Sequence, residues 1–249
     1  MKKTGVLISV ILVLSIFVPV FAFAGKPAKE PRTLEKRVFI HYKKGHGKPD
    51  WVADKKSPED DDHSDDYALI GKGVAWKDSL PLTVVVNPTN SYGLDYAFIE
   101  VAVEASIGEW DWYTSTELFQ DSVVVDTTAT FDYDSIDGSN NIVFGDYEQD
   151  GVIAICYTWG YFGGKPSSRM IVEFDIMLDT DYNWGDGAID DTIMDVQNIV
   201  THELGHGIGL ADIYDCDLET MYGRSSEGDI VKRDLYDGDI AGLQKLYGK

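Results

Sequence analysis

Two histidines four residues apart, with a glutamate directly after the first, form the strongest chemical signal in the sequence. They lie in the run His202-Glu-Leu-Gly-His206. Because positions i and i+4 share one face of a helix, His202 and His206 can direct both imidazoles at one metal ion. Glu203 lies one residue further round, where it could take a proton from a water that the metal activates. The run therefore predicts a catalytic metal centre.

The residues after the second histidine supply a third ligand. Gly209 can leave the helix through a left-handed turn without steric cost, and that turn would return Asp212 to the metal. Two histidines and one carboxylate leave a tetrahedral position for water, as in catalytic Zn²⁺ sites. All other histidines precede residue 67, so a third histidine from the later chain is excluded. Asp215 and Asp217 are the alternative carboxylates.

The first 24 residues are predicted to be a secretory signal peptide. Lys2 and Lys3 precede an almost wholly apolar run of 19 residues, 5–23, which ends in the small-x-small cleavage pattern of residues 22–24. An uncleaved membrane anchor is the alternative, because this run approaches the length that spans a bilayer. Pro19 and the cleavage pattern favour removal. We therefore expect a secreted, extracellular protein with no membrane attachment after signal cleavage.

Charge divides the rest of the chain into three parts. Residues 25–56 carry a net charge of +6, residues 59–66 carry −6 without an apolar side chain, and residues 68–249 carry −24. This division predicts a basic pro-segment and acidic linker, residues 25–67, that acts as an intramolecular inhibitor of a catalytic domain, residues 68–249. A basic arm without structure is the alternative. The total charge of −22 argues against binding to nucleic acid or to anionic membranes.

The apolar pattern predicts an α+β fold in which about three helices pack as a sandwich against one, mostly five-stranded, twisted sheet. Apolar residues make up 44% of the chain, enough for a packed core. Alternating and continuous apolar runs indicate strands, and apolar residues at three- and four-residue steps indicate helices. Strands are expected at residues 82–86, 122–130, 141–144, 152–157 and 170–178, and helices at residues 97–113, 194–208 and 239–247.

The chain has two cysteines, Cys156 and Cys216. In an exported protein a single pair favours a disulfide, and two buried free thiols are the alternative.

Acidic residues on turns offer oxygen ligands for structural Ca²⁺. One cluster spans residues 146–150, and a second contains Asp179, Asp181 and Asp186. We expect at least one calcium site, without assigning its ligands, and a solvated acidic surface is the alternative for each cluster.

The extended metal motif resembles that of the metzincin zinc peptidases, and most of all the matrixins. The run Thr220-Met-Tyr-Gly223 resembles the Met-turn, and residues 235–248 are similar to the family's closing helix. The resemblance covers about residues 73–249, most strongly from residue 195. It implies a metzincin-like catalytic domain and a zinc-dependent endopeptidase acting on protein or peptide substrates. Glu203 would be the general base, Met221 the apolar floor of the metal site, and the strand near residues 152–157 the rim on which a substrate strand adds.

The chain departs from the matrixin pattern at three places. Asp212 stands where the family has histidine, a variant similar to that of the snapalysin peptidases. Glu173 stands where a histidine of the structural zinc is expected, so we expect no second zinc site of that kind. Asp239 matches one of the family's paired aspartates, whereas Gly238 occupies the place of the other. The alternative to an enzyme, supported by Asp212, is an inactive exported acidic binding protein on a metzincin scaffold.

The run His46-Gly-Lys-Pro-Asp50 has the pattern of the matrixin pro-segment motif Cys-Gly-x-Pro-Asp, with histidine in place of cysteine. A neutral imidazole is a good zinc ligand, so His46 is a candidate for the fourth zinc position in the precursor. Asp50, steric cover of the cleft and an unrelated surface histidine are the alternatives.

Overall fold

The computed structural model describes residues 32–46 and 63–249. The predicted signal peptide lies outside these residues, as do residues 25–31 and 47–62 of the predicted pro-segment and linker. In the part of the chain that is described, no helix combines the length and apolar character needed to cross a bilayer.

The described residues form eleven strands and three α-helices. The strands are β1 (Glu35–Lys43), β2 (Ala68–Leu69), β3 (Val85–Asn87), β4 (Val124–Val125), β5 (Asn141–Gly145), β6 (Val152–Tyr161), β7 (Met170–Asp179), β8 (Trp184–Gly185), β9 (Met194–Asp195), β10 (Leu210–Ala211) and β11 (Arg224–Ser225). The helices are α1 (Tyr96–Trp112), α2 (Val196–Ile208) and α3 (Asp237–Tyr247), with short 3₁₀ turns at Pro166–Ser168 and Val231–Arg233.

Seven strands form the main sheet, in the order β11-β1-β6-β7-β5-β3-β4. Strand β6 is antiparallel to both of its neighbours, β1 and β7, and the other neighbouring pairs are parallel. Strands β6 and β7 are almost continuously buried because the sheet is covered on both faces. The predicted α+β fold, with three helices and one main sheet, is confirmed, although the sheet has seven strands rather than five because β1 and β11 extend it beyond β6.

The helices on one face of the sheet position the metal motif. Asp195 caps α2 by accepting a hydrogen bond from the Asn198 amide at 2.7 Å. Helix α1 packs beside α2, and the Trp110 indole donates to the Thr201 carbonyl at 2.8 Å. The larger core cluster lies here, and a smaller one covers the opposite face of the sheet, formed by Phe131, Val143, Val152, Ile155, Tyr157 and Met177.

Two predicted elements differ from the structure. The strand expected at residues 122–130 is limited to β4, because the Asp126 side chain accepts hydrogen bonds from the Thr128 amide and hydroxyl and closes a turn. The basic segment contains a strand that was not expected. Strand β1 lies between β6 and β11 inside the main sheet, paired from Glu35 opposite Gly160 to Tyr42 opposite Val152.

Candidate active site

Helix α2 and the turn after it bring the three predicted metal ligands together. His202 and His206 lie one turn apart on α2, and both are fully buried. The helix ends at Gly209, whose φ of 114° is the left-handed conformation that favours glycine. The reversal brings Asp212 Oδ1 to 3.2 Å from His202 Nε2 and to 3.4 Å from His206 Nε2. Asp212, rather than Asp215 or Asp217, is therefore the carboxylate at this site.

Backbone carbonyls fix the orientation of both imidazoles. His202 Nδ1 lies 2.6 Å from the Thr220 carbonyl and His206 Nδ1 lies 3.0 Å from the Leu210 carbonyl. A carbonyl can only accept, so each Nδ1 carries the proton and each Nε2 keeps a lone pair. The two Nε2 atoms are 3.2 Å apart and face Asp212 Oδ1.

This donor set fits a zinc ion. Three lone-pair atoms converge with separations of 3.2–3.4 Å. Ligand atoms about 2.0–2.1 Å from a tetrahedral zinc are separated by about 3.3 Å. Asp212 Oδ1 is buried and has no hydrogen-bond partner among the described residues, as expected of an oxygen that awaits a cation. Two imidazoles and one carboxylate match the ligand types of catalytic zinc sites.

Glu203 lies beside the metal ligands and is fully buried. Burial raises the pKa of its carboxyl to about 8. A carboxyl group at this position can both accept and return a proton. Glu203 Oε2 has no hydrogen-bond partner in the described part of the chain, so this atom is available to a small ligand.

The segment Thr220–Gly223 forms a floor beneath α2. Met221 is fully buried, and a Cβ at Gly205 would collide with its sulfur, so glycine permits the close approach of helix and turn. Asp239 accepts hydrogen bonds from the Thr220 and Met221 amides at 2.6 and 3.0 Å. Because Thr220 also holds His202, the first turn of α3 is linked to the metal centre through this floor.

The structure brings His41 to the site. This residue of β1 is fully buried, with Nδ1 3.1 Å from Glu203 Oε1 and Nε2 3.2 Å from Ser225 Oγ. Its ring lies 4.0 Å from the His202 ring, and the neighbouring Phe39 stacks on His206 at 4.1 Å. Strand β1 therefore covers the cleft between β6 and β11.

The prediction for His46 needs correction. His46 is exposed on the turn after β1, and its ring lies against Gly151. Its amide donates to the Lys43 carbonyl, which closes that turn away from the metal ligands. The strand register makes His41 the histidine of this segment that faces Glu203.

The predicted disulfide is also absent. Cys156 and Cys216 are both free thiols. Cys156 is buried within β6 beside Thr158, and Cys216 lies 3.8 Å from His63 Nδ1. Burial raises the pKa of the Cys156 thiol well above its ordinary value.

Two clusters of carboxylates lie away from the metal ligands. The first cluster joins the two acidic clusters predicted from the sequence, since it places oxygens of Asp146, Asp179 and Asp181 within 4.8 Å of one another. Asp186 does not belong to it and pairs with Arg233. The second cluster consists of Asp132, Glu173 and Asp175. Burial raises the pKa of Glu173 to about 7 and that of Asp175 to about 8, and the like charges of the cluster add to both shifts.

Three residues at the site were missed from the sequence: His41, Ser225 and Lys232. Lys232 is buried and donates to the Tyr222 carbonyl at 2.5 Å, and burial lowers its pKa to about 8. For His41 a signal existed, since residues 38–42 are a β-branched and aromatic run typical of a strand. No local pattern distinguishes Ser225 or Lys232.

Comparisons with known proteins agree with this geometry. The matrixin family model matches residues 76–248, which include the three metal ligands, Glu203 and Met221. Human matrilysin is 37% identical over 75 residues, which cover 30% of this chain and 27% of matrilysin. The chain thus matches about a quarter of the length of this relative. By the family match over most of its length, the chain belongs to the matrixin family.

Proposed function

We propose that the protein is a secreted zinc-dependent endopeptidase that is made as a precursor. The convergence of His202, His206 and Asp212 on one point beside Glu203 carries the proposal. The Asp212 ligand corresponds to a snapalysin-like variant of the metzincin motif, and His-His-carboxylate sites support peptide hydrolysis in other zinc enzymes.

In this proposal the substrate is a protein or peptide that enters the cleft in an extended conformation. Without β1, the backbone of β6 would offer a free edge to which a peptide strand can add, with its scissile bond above α2. Zinc bound by the three ligands would polarise the scissile carbonyl and activate the attacking water. Glu203 takes a proton from that water and delivers it to the leaving amine nitrogen.

Substitution of Glu203 tests the proposed reaction. A recognition sequence for a specific protease, inserted in residues 47–62 of the full chain, allows the basic segment to be released. After this cut we expect the parent to bind about one zinc and to hydrolyse casein, with inhibition by a chelator. Glu203→Ala should keep the zinc and the fold and lose hydrolysis, because the proton carrier is missing. Equal hydrolysis by the variant would contradict the role of Glu203. Absence of both zinc and hydrolysis in the parent would support the inactive binding protein instead.

We further propose that β1 keeps the precursor latent. Three contacts support this: β1 pairs with the strand edge that a substrate would use, His41 holds Glu203, and Phe39 covers His206. The chain has no cysteine before Cys156, so a cysteine of the basic segment cannot hold the zinc site latent. In this proposal the contact between His41 and the general base takes over that role.

We also propose a structural calcium site at Asp146, Asp179 and Asp181. Asp179 is 1% exposed, and its Oδ2 has no hydrogen-bond partner within the described residues. Calcium would neutralise this group and accept all three carboxylates as ligands.

We expect calcium to raise the unfolding temperature of the full chain, and Asp179→Asn to remove most of that increase. The exposed Asp150 is a matched control, since Asp150→Asn should keep it. An equal calcium response in Asp179→Asn would contradict the site.

A further inference from the structure

Every lysine and arginine from Arg32 to Lys44 contacts an aromatic ring or a carboxylate of the acidic domain. The contacts join Arg32 to Tyr161, Lys36 to Tyr157 and Trp159, Arg37 to Phe162, Lys43 to Glu227 and Tyr182, and Lys44 to Asp229. These partners surround the cleft that β1 fills, so the walls of the cleft are suited to positive side chains.

Three of these contacts lie on the aromatic rim, which we define as Tyr157, Trp159 and Phe162. The Lys36 ammonium is 4.0 Å from the centre of the Tyr157 ring and 5.2 Å from that of Trp159. The Arg37 guanidinium is 4.8 Å from the centre of the Phe162 ring. These distances are within the range of cation–π attraction.

The rim does not depend on β1 for its position. Tyr157 and Trp159 belong to β6, which is paired on its other side with β7. Tyr157 also packs in the smaller core cluster against Phe131. The rings should therefore keep their places and remain available to another strand after β1 leaves.

A cavity beside Lys36, on the outer face of the sheet, is also suited to positive side chains. It has a volume of about 600 Å³ and is lined by Tyr133, Asp146, Tyr147, Glu148, Gln149 and Tyr157. The Lys36 ammonium donates to the Tyr133 carbonyl at its edge. The lining contains Asp146 and Glu148 and no positive side chain. Glu148 would keep the cavity suited to cations even when Asp146 binds the proposed calcium.

We infer that the cleft selects extended peptide segments that carry lysine or arginine at the places of Lys36 and Arg37. These residues precede His41, which faces Glu203, by five and four positions. The inference rests on the proposed function, because it takes β1 as a template for the course of a substrate strand. The aromatic rim supplies the specificity, and the charge of −24 on residues 68–249 adds a general attraction for basic peptides.

The inference is tested by peptide binding to the full chain that carries Glu203→Ala and the inserted cut site. After the cut, fluorescent peptides copying residues 32–46 exchange with the released segment. A peptide with Lys36→Gln and Arg37→Gln should bind about tenfold more weakly than the parent peptide, because two cation–π contacts are lost. In a protein with Trp159→Leu and Phe162→Leu, which keeps the net charge, this difference should shrink to about threefold, because Tyr157 still faces Lys36.

The salt dependence of binding distinguishes the contribution of the aromatic rim from that of the long-range electrostatic attraction. This measurement does not need the rim variant, so it holds even if that variant is unstable. At about 0.5 M salt, long-range attraction is screened, whereas the discrimination between the two peptides should persist. Equal binding of the two peptides, or loss of discrimination in salt, would overturn the inference. With intact Glu203, binding of the parent peptide without cleavage of any peptide would contradict the proposed function and leave the preference for cations standing.

Discussion

The floor and the roof of the cleft are built in different ways. The floor consists of α2 and Thr220–Gly223, and every residue of α2 from Asn198 to Ile208 is buried. The roof is β1, and within this strand His41 is the single buried residue. The roof is held by backbone pairing, by contacts of charged side chains and by the half-buried Phe39, Ile40 and Tyr42 at the edges of the two core clusters. The floor lies inside the larger cluster.

This difference bears on the proposed release of β1 from the precursor. Loss of α2 would expose the core and unfold the domain, because burial of apolar side chains dominates stability. Loss of β1 would expose an edge of the sheet and withdraw from the core only the half-buried apolar side chains of Phe39, Ile40 and Tyr42. The proposed release of β1 would therefore leave the candidate metal site in place.

The largest expected effect concerns the floor. Asp212→Ala leaves only two protein ligands for zinc and removes the negative charge of the site. The zinc dissociation constant should therefore rise by more than about 100-fold, which exceeds the usual effect of losing a group that only orients a ligand. Competition with a chromophoric chelator measures this. Asp215→Ala is the matched control, because Asp215 is exposed and lies three residues further along the chain. The zinc affinity of this variant should equal that of the parent. The reverse pattern would mean that the wrong carboxylate has been assigned.

A second prediction concerns the roof. In the uncut full chain, His41→Ala removes the contact with Glu203 and should raise casein hydrolysis by about tenfold, since a hydrogen bond to an ionisable group is lost. His46→Ala should have no effect, because His46 is exposed away from the metal ligands. If His46→Ala activates the chain and His41→Ala does not, the account of latency is wrong.

A smaller effect concerns the pH dependence of the floor. Burial and the neighbouring charge of Asp239 raise the pKa of Glu219, which accepts hydrogen bonds from the Gly238 and Asp239 amides. A raised carboxyl pKa means that the folded state holds a proton which the unfolded state has lost. Its contribution to stability is complete below the ordinary pKa of about 4.3 and decreases as the pH rises through the folded value.

Glu219→Gln should therefore reduce the fall in unfolding temperature between about pH 5 and 8, because glutamine does not titrate. Glu117→Gln, at an exposed position, is the control and should leave the slope of the parent unchanged. Thermal unfolding followed by circular dichroism gives both slopes. An identical slope in Glu219→Gln would show that this carboxyl is not the group that titrates.

The floor could be predicted from the sequence because its geometry is local. His202, His206 and Asp212 lie within eleven residues, so helical periodicity and one glycine turn suffice to bring them together. The elements that carry them, α2 and the turn at Gly209, were predicted for the same reason.

The roof could not be predicted in this way. His41 reaches Glu203 across a separation of 162 residues, and only the register of β1 on β6 decides which side chain arrives. A shift of one residue would turn His41 to the other face of the sheet and replace it by Ile40 or Tyr42. The basic composition of the segment also favoured an arm or cover over a sheet strand, and the likeness to Cys-Gly-x-Pro-Asp favoured His46.

Zinc X-ray absorption on the full chain tests the central claim most directly. The account predicts one bound zinc with nitrogen and oxygen ligands only, at about 2.0–2.2 Å, and two imidazoles in the outer scattering. Asp212→Ala should lower the number of protein ligands by one while both imidazoles remain. A sulfur ligand at about 2.3 Å, or failure of the purified chain to take up zinc, would contradict a centre formed by His202, His206 and Asp212.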